Sequence, residues 1–152
     1  MSFAAFQDLG WLRFAPEPAV QEWLFQVRPT ALACLADPAF LDWWRCGGTW
    51  FVGVNALGND HLGRVGTSEP LSGEAIEFIR RDLDLGNYGL DRAQISAILP
   101  GYPKIGHDEN AASYRFRRQR DAAHVDGLHA IGPERRRMQR EFQGYLLGLP
   151  VT

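Results

Sequence analysis

Apolar side chains fall at helical spacing along the first part of the chain and at strand spacing along the last part. Pro16 and Pro18 bracket a start, and Val20, Trp23, Leu24 and Val27 follow on one face of a predicted helix. A second helix is expected near Thr30, re-initiated at Asp37-Pro38, where Asp caps and Pro takes the first helical position. Phe40, Leu41 and Trp44 then share a face, and Gly47-Gly48 ends the helix. Trp50-Phe51-Val52-Gly53-Val54 reads as a buried strand and residues 55–67 as a glycine-bearing loop. A helix is predicted from Ser72, as N-cap, through Arg81, with Ala75, Ile76 and Ile79 facing inward.

Beyond Gly86-Asn87-Tyr88-Gly89 the period changes. Residues 92–99 read as a strand, closed by Pro100-Gly101-Tyr102-Pro103, and residues 104–112 as a polar loop. Residues 113–125 alternate in the manner of a strand. Residues 127–137 form a turn-rich connection through Gly132-Pro133, and residues 143–151 a last apolar strand. Helices first and antiparallel strands after them predict an α+β fold. The expected organisation is a single domain over 1–152, mainly helical over 1–90 and strand-built over 91–152.

Composition narrows the class. The chain has 152 residues, 45% hydrophobic and 12% aromatic, enough for one domain with a core and too apolar for intrinsic disorder. No stretch approaches the roughly 18–20 apolar residues of a membrane-spanning helix. The first residues lack the basic start and apolar centre of a secretory signal. With two cysteines, Cys34 and Cys46, and no CxxC, a cytoplasmic location and two reduced thiols without a role are expected.

The net charge of −2 conceals an uneven distribution. Residues 113–152 carry Arg115, Arg117, Arg118, Arg120, Arg135, Arg136, Arg137 and Arg140 against Asp121, Asp126, Glu134 and Glu141, whereas the preceding residues are acidic overall. Guanidinium clusters suit phosphates, but few aromatics are interleaved here. A solvated face with ion pairs to Asp121 or Glu141 is expected, and nucleic acid is not the expected partner.

The chemistry concentrates in Arg120-Asp121-Ala122-Ala123-His124-Val125-Asp126-Gly127-Leu128. On an extended strand, residues i and i+2 point to the same face, so His124 and Asp126 would present an imidazole and a carboxylate side by side. That pair supplies two vertices of a two-histidine, one-carboxylate site for non-haem Fe(II). A bare H-x-D also arises by chance, as a loop-edge histidine followed by an Asx-turn aspartate before glycine.

Residues 93–103 (AQISAILPGYP), 114–127 ending in His124-Val125-Asp126-Gly127, 132–137 (GPERRR) and 145–150 (YLLGLP) together resemble Fe(II)- and 2-oxoglutarate-dependent dioxygenases, in the order of parts found in the bacterial phytanoyl-CoA dioxygenase-like branch. The resemblance covers roughly residues 50–152. It implies N-terminal helices followed by a double-stranded β-helix (jelly-roll, cupin-like), with His124 and Asp126 as metal ligands. It also implies 2-oxoglutarate as co-substrate and a small molecule as the substrate hydroxylated. In such enzymes the strand before H-x-D lends polar side chains to the pocket. This makes Gln94, which shares a face with Ser96 and Ile98, a candidate for co-substrate or substrate contact; a solvated strand face is the alternative.

One departure is serious. The family's distal histidine and 2-oxoglutarate-binding basic residue belong several strands after H-x-D, and the one later histidine here is His129, expected in the turn beyond Gly127. His61 and His107 are expected as ordinary surface residues. The expectation is therefore an incomplete β-helix, truncated before its third ligand, which leaves the strand near Tyr145 and Val151 with an open edge prone to self-association. A non-catalytic remnant or binding module of the same fold is the alternative, and an unrelated α+β interaction domain with a chance H-x-D is a third reading.

Overall fold

Trp23, Val27 and Ala31, four residues apart and all buried, give the chain its first packed surface. They lie on α2 (Pro18–Ala33), which follows the short helix α1 (Phe3–Leu9). The computed structural model describes residues 3–120, 128–139 and 144–151. Contacts divide the chain into two units, Met1–Glu109 and Asn110–Thr152.

In the first unit the sequence pattern is largely realised, with instructive shifts. A helix boundary was expected near Thr30, yet α2 runs through Pro29 to Ala33. Proline removes one donor from the ladder, while burial of Val27 and Ala31 on either side of it favours continuing. Asp37 does cap the next turn, a 3-10 helix at Pro38–Trp43, its carboxylate accepting the Ala39 N–H at 2.8 Å. Of the predicted face, Phe40 and Trp44 pack against the core while Leu41 is exposed. Trp44 already belongs to a strand, since the tighter 3-10 turn ends before it.

β1 (Trp44–Arg45), β2 (Trp50–Gly53) and β3 (Ile95–Ile98) form an antiparallel sheet in that order. The register pairs Trp44 with Phe51, and sets Phe51 opposite Ala97 and Val52 opposite Ser96. One face carries Phe51, which is 0% exposed, against Cys34 and Ala56, with Phe40, Trp43, Trp44, Ile95 and Ala97 around it. Gly53 is demanded here by space: a Cβ would stand 2.5 Å from the Phe51 ring and 2.8 Å from the Ala56 Cβ.

The loop after β2 is tied down by polar groups. Buried Asn59 donates to the Asp60 and Asp91 carbonyls and accepts the Ala93 N–H, using both ends of its amide. The Trp23 indole donates to the Gly63 carbonyl at 2.8 Å, fastening this loop to α2.

α3 (Glu74–Glu77) continues into a π-helical turn at Phe78–Asp82 and buries Ala75, Ile76, Phe78 and Ile79, as the periodicity predicts for the first two and the last. The Phe6 and Phe14 rings close over Phe78 at 5.5 and 5.9 Å. Its cap differs from the expected Ser72. The N-cap is Gly73, at φ 135°, and the Glu74 N–H is taken by both carboxylate oxygens of Glu17, at 2.9 and 3.0 Å. A Cβ on Gly73 would lie 2.9 Å from Val20 and 3.1 Å from that carboxylate, so glycine serves both conformation and access.

The second unit departs most from expectation. Where residues 113–125 were predicted as a strand, residues 111–119 are helical: α4 is Ala111–Gln119. Three local interactions favour the helix. The Asn110 side chain accepts the Ser113 N–H at 2.9 Å, and Arg117 and Arg118 stand in the last turn, where the helix dipole favours cations. Both guanidiniums also lie over the Tyr114 ring, 5.4 and 5.8 Å from its centre, a reach that exists at i+3 and i+4 of a helix. β4 (Leu128–Ile131) and β5 (Arg136–Gln139) then form an antiparallel hairpin across Gly132-Pro133-Glu134-Arg135. The described part of the predicted last strand, residues 144–151, forms no strand. Its residues alternate half-buried and exposed but join neither sheet, since β propensity alone does not make a strand without a ladder to pair with. Mixed helix and antiparallel sheet make the fold α+β. No helix among the described residues is long and apolar enough to cross a membrane.

Candidate functional site

The two residues expected to hold a metal, His124 and Asp126, lie outside the described residues, as do Asp121, Arg140 and Glu141. What the structure defines is the approach on either side. Upstream, α4 ends at Gln119, and Arg120 is extended at φ −72° and ψ 145° while its N–H still bonds to the Phe116 carbonyl at 2.9 Å. Downstream, the chain enters β4 at Leu128. The strand predicted over residues 113–125 is thus a helix as far as Gln119, while its end at residues 121–125 lies outside the described residues.

The remaining histidines are placed individually. His129, expected in a turn, is in β4, exposed and opposite Met138. It moves into the ladder because the hairpin turn sits later, at Gly132, whose carbonyl accepts the Arg135 N–H at 3.0 Å. His61 is exposed on the loop after β2, and its carbonyl accepts the Leu90 N–H. His107 is fully exposed and its Nδ1 lies 2.9 Å from the Asp108 carboxylate. No cluster of three or more His, Cys, Asp or Glu able to hold a metal occurs among the described residues.

Gln94 immediately precedes β3 and is exposed, as are Ser96 and Ile98, while Ile95 and Ala97 turn to the core. The predicted sharing of a face therefore describes an outer, solvent-facing surface. Across from it on β2 stand Trp50 and Val52; the Trp50 indole donates to Ser96 Oγ at 3.2 Å, and Tyr102 meets Trp50 edge-on at 6.1 Å. This face is apolar apart from the side chains of Gln94 and Ser96 and the Trp50 indole N–H. The sequence reading missed the contribution of β2, because Trp50-Phe51-Val52 is apolar on both faces and conceals its alternation.

Two ionisable groups are perturbed by identifiable neighbours. The Asp60 carboxylate is held below the ordinary aspartate range, first by the Arg64 N–H, then by the Leu62 N–H, each bonded at 2.8 Å, with the Arg64 guanidinium adding. Burial foremost, then the charge of Asp37, pushes the Cys34 thiol up, and its Sγ donates to the Ala56 carbonyl. Neither feature is that of an activated nucleophile, since a thiol needs a lowered pKa for that role. Cys34 and Cys46 form no disulfide.

Comparison with protein families, curated proteins and solved structures finds no match to this chain.

Proposed function

We propose that the chain belongs to the lineage of Fe(II)- and 2-oxoglutarate-dependent dioxygenases, with His124 and Asp126 as two metal ligands and a small molecule as substrate. One observation carries the reading: His124-Val125-Asp126-Gly127, set between the 93–103 and 132–137 sequence segments in the order such enzymes use. The donor set fits the metal in kind, because an imidazole nitrogen and a carboxylate oxygen are what non-haem Fe(II) accepts, and two protein ligands leave positions open. When bound, the metal with 2-oxoglutarate supplies the oxidising power for hydroxylation of a C–H bond. The chain's own contribution would be to hold the metal at His124 Nδ1 or Nε2 and Asp126 Oδ1 or Oδ2. Gln94 is proposed to offer its amide to a polar group of substrate or co-substrate. Antiparallel pairing in both sheets is compatible with an incomplete double-stranded β-helix, and α4 is a departure from it.

A second reading, a non-catalytic binding module of the same lineage, is favoured by the sequence after Asp126, where the one histidine, His129, stands three positions on and lies in β4. Iron-dependent succinate formation from 2-oxoglutarate separates the two, since uncoupled turnover needs no knowledge of the substrate. Titration with Co(II) or Mn(II) tests the ligands themselves. Outer partners of ligands are commonly worth about 10- to 100-fold in metal affinity, so His124→Ala and Asp126→Ala are each expected to weaken binding at least about tenfold. Binding that survives both substitutions puts the metal elsewhere and removes the proposal. Metal binding through these residues without succinate formation selects the non-catalytic reading.

A further inference from the structure

No further inference is drawn: the strongest candidate, the apolar outer face of the three-stranded sheet formed by Trp50, Val52 and Ile98 with Tyr102 beside it, is an unpartnered surface, and nothing in the structure shows what covers it.

Discussion

Phe51 concentrates more of the first unit's stability than any exposed residue, because it is fully enclosed and every neighbour is fitted to it. Truncating a buried phenylalanine to alanine costs about 3–5 kcal/mol, from lost transfer energy and the cavity left behind. Phe51→Ala is therefore expected to abolish or steeply lower the cooperative melting transition, whereas Phe25→Ala, at a site 76% exposed, is expected to change it little. Equal effects from the two, measured by circular dichroism, would contradict this core. Asp60 contributes through charge. Its folded-state pKa is depressed, so the stability it adds is complete above the ordinary aspartate pKa and is lost as pH falls through the folded value. Asp60→Asn is expected to lower the melting temperature at neutral pH, with the difference from the parent shrinking as the solution is acidified below that value. A difference independent of pH would assign the effect of Asp60 to shape alone.

At the scale of elements, one side chain ties the start of α2 to the start of α3. Glu17 precedes α2 but caps α3, fifty-seven positions later, by accepting the Glu74 N–H. Loss of a capping acceptor costs about 1 kcal/mol. Glu17→Ala is expected to destabilise by that order and to raise hydrogen exchange of the Glu74 amide selectively. Unchanged exchange there would show that the cap is dispensable. The Ser72 expectation followed the local rule that a hydroxyl residue ahead of an apolar-periodic run caps it. The rule misses a carboxylate delivered from the residue ahead of another helix, which only packing brings into range. α4 illustrates the complementary error. Ser113, Tyr114, Arg115, Phe116 and Arg117 alternate polar and aromatic, which satisfies a period of two, but the Asn110 cap and the Tyr114 contacts with Arg117 and Arg118 satisfy a helix. In a segment with no buried residue, packing does not arbitrate between periods, and local interactions decide.

At the scale of the whole molecule, apolar surface remains uncovered in both units: Ile98 in the first, and Phe116, Met138 and Leu146 in the second, Leu146 at 93% exposure. Apolar area left in water favours association. The chain is expected to self-associate at micromolar concentration, with weight-average mass rising with concentration in light scattering. Leu146→Ser is expected to reduce the association, because this leucine has nearly all its surface in solvent. A monomeric mass across the concentration range would contradict the expectation. The edge strand predicted over residues 143–151 is not the basis for this, because residues 144–151 are not in a strand; the exposed side chain is.

Legible from the chain alone are the α+β class, the α2 core face at Trp23 and Val27, the inward set Ala75, Ile76 and Ile79, and strands predicted over 50–54 and 92–99, which form as Trp50–Gly53 and Ile95–Ile98. The helical sets are runs in which burial and local periodicity agree, and the two strands are legible as short apolar or alternating runs bounded by turn residues, so both are read from neighbours along the chain. The pattern also marks Gln94 as sharing a face with Ser96 and Ile98, whereas His124 and Asp126, singled out by residue type and spacing, lie outside the described residues. Only packing settles that α2 continues through Pro29, that Glu17 caps α3, that Gly53 leaves room for the Phe51 ring beside Ala56, and that Gln94 faces solvent on the outer side of the sheet. The physical reason is that each depends on how side chains pack in three dimensions, for Glu17 through a contact fifty-seven positions away, and the free energy of such contacts outweighs the small local preferences, of order 1 kcal/mol, from which a sequence is read.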